Sequence, residues 1–190
     1  MTETDLKEKN INPPLWAFAW PGGQAIARYI LDNPSLVKNK SVLDLASGSG
    51  IAGIAAIIAS AKHVDFNEID PVACKSIHLN CAANELKVCP SILEKNFIAD
   101  PTHDYSQKNS WDIIVAGDVF YEQPMSQKIF KWLLNRAREG TEVLIGDPGR
   151  CYFPEKPIEM LYQYSVKTSK MIENEDEVVS RVYRLLHDVG

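Results

Sequence analysis

Val42-Leu-Asp-Leu-Ala-Ser-Gly-Ser-Gly50 joins an apolar run to a glycine turn, and one acid, Asp44, stands inside the run. Ser41–Leu45 has the length and apolar content of a buried parallel strand. The glycines let the chain reverse tightly and let a ligand come against bare backbone. A helix is expected from about Ile51, and the N–H groups of its first turn have no partners within the helix. Strand, glycine turn and helix in that order predict a nucleotide-cofactor site.

Two cofactor classes fit the bare pattern. Gly48, Gly50 and Gly53 spell G-x-G-x-x-G, and Glu68 follows Gly48 by twenty residues, as in the dinucleotide fingerprint. Glu68 closes a second strand-like run, His63–Ile69, where a carboxylate can accept both hydroxyls of a ribose. NAD enzymes and S-adenosylmethionine enzymes share that feature, so Glu68 does not separate them. Asp44 does. An ionised carboxylate in an apolar strand costs several kcal/mol unless a positive group or donors satisfy it. S-adenosylmethionine carries an ammonium and a sulfonium, whereas a pyrophosphate brings only negative charge. The acid beneath the turn therefore favours the methyl donor; the competing reading is a carboxylate that merely caps the following helix.

The chain has 190 residues, 45% of them apolar, enough for one well-packed domain and too few for the added substrate domain of most dehydrogenases. A net charge of −5 and a pI of about 5.4, with Lys and Arg scattered, argue against nucleic acid as a partner. Cys74, Cys81, Cys89 and Cys151 form no C-x-x-C pair, and His63, His78, His103 and His187 are dispersed. Reduced thiols and no metal site are expected. The longest apolar run, Ile51–Ala61, is far short of a membrane span. The first residues are charged and acidic, unlike a secretory signal or an Arg-rich transit peptide, and a cytoplasmic location is expected; a monomer is expected as well.

Residues 1–12 read as a polar arm, 13–40 as an aromatic and helical segment, and 41–190 as a seven-stranded core, all within one domain spanning 1–190. A helix is predicted from about Gly23 to Leu31, stopped by Asn33-Pro34. Patterns then alternate: strand 41–45, helix 51–60, strand 63–69, helix 71–84 and a weaker strand around Ser91–Asn96. Strand Trp111–Ala116, helix 124–138 and strand Glu142–Ile145 follow. Tyr162–Ser169 and Glu177–Leu186, joined through Glu-Asn-Glu-Asp, break the alternation and predict an antiparallel hairpin. The sum is an α/β, three-layer αβα sandwich, in which ligands sit beyond the carboxyl ends of the strands.

Glu68, Asp118 and Asp147 fall at predicted strand ends and Asp44 within the first strand, a negative edge suited to a sulfonium and an amine; each could instead cap a turn or helix. Asp118-Val-Phe-Tyr121 is the candidate for substrate handling. Asp118 could accept a hydrogen bond from an amine delivered neutral, and Tyr121 could add an aromatic wall and a hydroxyl. Trp16, Phe18 and Trp20 sit at every second position, which would place them on one face of an extended segment. Trp16 and Phe18 read as a lid on the core, and Trp20, beside Pro21-Gly22-Gly23, as a cofactor contact.

Trp16-Ala-Phe-Ala-Trp-Pro-Gly-Gly-Gln24, Asp44–Gly50, Asp118-Val-Phe-Tyr-Glu122 and Gly146-Asp-Pro-Gly-Arg150 occur in that order. Together, over roughly residues 13–186, they resemble the electron-transfer-flavoprotein β-subunit lysine methyltransferases. That family belongs to the class I, Rossmann-like, seven-β-strand methyltransferases with a D-x-x-Y motif. The resemblance implies S-adenosyl-L-methionine as methyl donor and a protein-borne lysine as acceptor. It carries cofactor roles to Trp20, Asp44, Gly48, Ser49, Gly50, Glu68 and Gly117, and catalytic or substrate roles to Asp118 and Tyr121. It also points to Asp100, or the backbone near Phe97–Ala99, as the adenine contact, and marks Asp147 and Arg150 as signature positions of underived role. Ala46 departs from the glycine that many class I enzymes carry there. The acceptor stays open between the flavoprotein β subunit and another protein such as a ribosomal one. Beside this reading stand a small-molecule amine methyltransferase, an NAD-binding oxidoreductase and a cofactor-binding module without activity.

Overall fold

The computed structural model describes residues 14–87, 89–99 and 111–187. Seven strands form one sheet in the order β3-β2-β1-β4-β5-β7-β6. They are β1 (Ser41–Leu45), β2 (His63–Asn67), β3 (Ser91–Leu93), β4 (Ile113–Gly117), β5 (Glu142–Asp147), β6 (Ile158–Lys167) and β7 (Glu177–Leu185). The first five are parallel, while β7 runs antiparallel between β5 and β6. The strand order reverses beside β1, which pairs with β2 on one side and β4 on the other. That reversal opens the crevice in which such sheets bind ligands.

Alternation along the central strands explains why both faces are buried. Val42, Val64, Phe66, Ile113, Val115 and Leu144 pack with α1 (Pro21–Asp32), α2 (Ile51–Ile58) and α3 (Pro71–Ala83). Leu43, Leu45, Ile114, Ala116, Val143 and Ile145 pack on the other side with Ile129, Leu133 and Ala137 of α4 (Met125–Arg138). A strand buried on both faces needs a continuous apolar run, as these sequences have. The three layers are those predicted.

Several boundaries differ from the sequence reading. α1 begins at Pro21, because proline's fixed φ suits the first helical position. β2 ends at Asn67, so Glu68 lies just beyond the strand. β6 starts at Ile158, and a short helix, α5 (Lys170–Glu173), occupies part of the hairpin connection. Trp16 lies in a 3-10 turn, Leu15–Ala17, and so does not share an extended face with Phe18 and Trp20. The polar arm over residues 1–12 and the expected adenine contact at Asp100 lie outside the described residues. No described helix is long and apolar enough to cross a membrane.

Candidate functional site

The turn after β1 is left-handed at Ala46, Gly48 and Gly50, with φ of 53°, 54° and 80°. Neighbouring elements hold it in place. Ser47 Oγ donates to the Asp44 carbonyl at 2.7 Å, and Ser47 N–H donates to the Asn67 carbonyl at 2.9 Å. Asn80 of α3 donates to the Ser49 carbonyl at 2.8 Å. Asp44, 3% exposed, accepts the Gly53 N–H at 2.9 Å through Oδ2, capping α2 from below. The cap and the cofactor candidate are therefore the same carboxylate, since Asp44 also lines the cleft above the turn. Burial pushes its pKa up to about 7; the Gly53 N–H opposes the rise and the charge of Glu68 adds to it.

Glu68 reaches back under the same turn. Its Oε2 accepts the Gly48 N–H at 2.9 Å, and its Oε1 accepts the Ile69 and Asp70 N–H groups at 2.7 and 3.0 Å. Three donors fill three of about four lone-pair positions, so one position remains for a ligand hydroxyl rather than two. The electrostatic outcome decides between cofactor classes. The Gly48 and Gly53 N–H groups, which a pyrophosphate would need, already serve carboxylates. An anion placed there would meet two acids; a cation would meet complementary charge.

The opposite wall comes from α1 and β4. A Cβ on Gly117 would lie 2.7 Å from the Gly23 nitrogen, so only glycine lets the start of α1 close on the end of β4. Asp118 follows with φ of 55° and is 8% exposed. Its Oδ2 accepts the Gly22 and Gly23 N–H groups at 2.5 and 3.2 Å, which satisfies the first turn of α1. Its Oδ1 accepts Arg150 Nη2 at 2.8 Å and Nε at 3.2 Å. Burial raises the Asp118 pKa to about 6 against the pull of Arg150. Trp20 donates its indole N–H to the Leu15 carbonyl at 2.6 Å and packs edge-on to Phe18 at 5.8 Å. Between these walls lies a cleft that opens to solvent.

A model of the lysine methyltransferase family matches residues 3–160. The chain belongs to the lysine methyltransferase family. Its relatives include mouse and human proteins that carry the name electron transfer flavoprotein beta subunit lysine methyltransferase. The mouse protein is 43% identical over 175 residues, which cover 90% of this chain and 66% of that one. The human protein is 41% identical over 175 residues, 90% and 64% of the two chains. This family member thus spans slightly less than two thirds of the length of those relatives. Among solved structures, the ribosomal protein L11 methylase of Lactobacillus delbrueckii subsp. bulgaricus aligns with a TM-score of 0.55 and 18% identity, covering 86% of this chain and 79% of that one. That likeness concerns the fold alone.

In this family member Trp20, Asp44, Gly48, Ser49, Gly117 and Asp118 converge on the cleft. Gly50 shapes the turn and Glu68 supports it, both outside the lining. Tyr121 is 51% exposed on the loop after β4 and also lies outside the lining; burial raises its pKa, with Glu122 and Glu68 adding to the rise. Phe18, expected as a lid on the core, lines the cleft instead. It meets Trp20 edge-on at the cleft wall, and the alternating aromatics were the available signal. Ala46, Ser47 and Ile51 line the cleft as well and follow from the turn itself. Among the described residues no group of three or more His, Cys, Asp or Glu is arranged to hold a metal ion.

Proposed function

We propose that this chain transfers a methyl group from S-adenosyl-L-methionine to the side-chain amine of a lysine on a protein. The electron transfer flavoprotein β subunit, which the relatives' names specify, is the first candidate. One observation carries the reading: buried carboxylates face an open cleft from two walls, while the turn's Gly48 and Gly53 N–H groups are already engaged. The bound donor supplies an electrophilic methyl on a sulfonium. Asp44 and the Gly48-Ser49-Gly50 turn would hold its cationic end, Gly117 and Trp20 would border it, and the remaining acceptor position of Glu68 would take a ribose hydroxyl. Asp100 is retained as the proposed adenine contact.

The Asp118 oxygens already take four donors, from Gly22, Gly23 and Arg150, so the carboxylate acts on the incoming amine through its negative charge at the cleft rather than through a further hydrogen bond. Tyr121 forms part of the outer substrate wall. A free lysine amine has a pKa of about 10.4, so the site must admit the neutral form. Positioning and exclusion of water carry the acceleration, because the displacement needs no covalent enzyme intermediate. The open mouth favours a lysine on a protein over a small amine, which would call for a closed pocket. We further place the protein in a reducing cytoplasmic compartment as a single-domain monomer. Cys74, Cys81, Cys89 and Cys151 are free thiols, and sedimentation velocity checks the oligomeric state.

The test is incubation with isotopically labelled methyl donor and either purified flavoprotein β subunit or a cell lysate, followed by mass spectrometry. Label on a protein lysine supports the assignment. Label only in small molecules supports the amine alternative, and tight NADH binding with no S-adenosylhomocysteine binding supports an oxidoreductase.

A further inference from the structure

The segment Gly146-Asp-Pro-Gly-Arg150 has no part in the cleft lining, yet it is built to hold one guanidinium at the back of Asp118. Asp147 is buried, and its Oδ1 accepts the backbone N–H groups of Gly149 and Arg150, both at 2.6 Å. That clasp fixes the start of the Arg150 side chain. The guanidinium then touches three elements. Nη2 and Nε meet Asp118 Oδ1, Nη1 and Nη2 meet the two Glu173 oxygens at 3.1 and 2.5 Å, and the group lies 5.5 Å above the Trp20 ring. Arg150 is 21% exposed, with Asp118 and Glu173 at 8% and 10%, so these contacts are partly shielded from water.

We propose that Arg150 is a positioning residue: it fixes the Asp118 carboxylate at the cleft and braces it through Glu173 against the β6–β7 hairpin. The inference rests on the reading of Asp118 as the carboxylate whose charge faces the incoming amine. With α1 holding Oδ2 and Arg150 holding Oδ1, the carboxylate cannot swing as an amine arrives. The charged and polar groups facing it are Arg150 and Asp147 from the β5–β6 segment, the Gly22 and Gly23 N–H groups from α1, and Glu173 behind the guanidinium. Arg150 is the cation of that set. Lysine could supply the charge, but its ammonium lacks the planar fork that spans two carboxylates and stacks on a ring.

The experiment compares the full chain with R150K, R150M and E173Q. The Asp118 carboxyl is titrated by carbon-13 NMR, and methyl transfer is measured across pH. Asp118 should titrate near pH 6 in the parent chain. In R150M the midpoint should rise by about one pH unit, and the acid limb of transfer should rise with it. R150K should keep the midpoint close to the parent value yet lose about tenfold or more in kcat, because charge is kept and orientation is lost. E173Q should lower kcat several-fold, with S-adenosylhomocysteine affinity changed less than about threefold in all variants. If R150M does not fold, R150K and E173Q carry the test. Full kcat in R150K, or an unmoved midpoint and rate in R150M, overturns the proposal. A moved midpoint in a protein whose parent form methylates no lysine supports the Arg150–Asp118 coupling and overturns the methyltransfer reading instead.

Discussion

Replacing Asp44 with asparagine separates the two tasks of that residue, and they respond with opposite sign. Asparagine keeps a carbonyl oxygen for the Gly53 N–H, so the cap on α2 survives. What disappears is a charge at a site only 3% exposed. Burial lifts the Asp44 pKa from its ordinary 3.8 to about 7. The folded chain therefore binds the proton more tightly than the unfolded one, and the stability this gives is present below about pH 4 and lost as pH rises through about 7. About three pH units at roughly 1.4 kcal/mol each set an upper bound near 4 kcal/mol for ionising Asp44 in the ligand-free protein. If half of that is realised, Asp44→Asn melts about 5 °C higher than the parent at pH 8, with no gain at pH 4. Binding moves the other way. A charge-assisted contact is worth about 2 kcal/mol, so S-adenosylhomocysteine should bind roughly thirtyfold more weakly to the variant. Melting curves at both pH values and titration calorimetry at pH 8 supply the two numbers. Unchanged ligand affinity, or a variant that melts lower at pH 8, would refute the idea that Asp44 is kept charged for a cation.

The same carboxylate makes ligand binding pH-dependent: because Asp44 ionises near pH 7 without ligand, S-adenosylhomocysteine affinity should fall about tenfold between pH 8 and pH 6. Calorimetry in two buffers of different ionisation heat should then detect proton release at pH 6. Asp118→Ala removes the acceptor for Gly22, Gly23 and Arg150 together, so it should cost about 2–3 kcal/mol of stability as well as methyl transfer, read by urea unfolding beside the activity assay. Ala46→Gly relieves a left-handed alanine at φ 53° and should raise stability by about 0.5–1 kcal/mol, seen as a small increase in melting temperature with ligand affinity intact.

The parts legible in the sequence are those set by local physics. Ser41–Leu45 is a strand because burial on both faces demands an uninterrupted apolar run, and its observed limits match the reading. Asp70-Pro71 starts α3 as expected, with Asp70 Oδ1 accepting the Val72 N–H at 2.7 Å. β6 was harder to bound. It is the outer strand of the sheet, and exposed Met160 and Tyr162 blur the contrast between its faces. In the site, Asp44 and the glycine turn were readable because the seven residues Asp44–Gly50 act as one unit. The contacts around Asp118 were not, because its partners stand 96 residues upstream at Gly22 and 32 downstream at Arg150. No periodicity encodes such pairings. Glu68 shows the same limit: its position was evident, but three backbone donors that consume most of its acceptor capacity are visible only in three dimensions.

The sheet order has a consequence for how this molecule comes into being on the ribosome. β1 is completed at Leu45, yet its neighbour β4 begins only at Ile113, and the start of α1 finds its acceptor only once Asp118 has emerged. During synthesis the donor-side loop is thus translated long before the acid and guanidinium opposite it. The two halves of the cleft are separate in time as well as in sequence, and neither half alone can clasp a ligand between them.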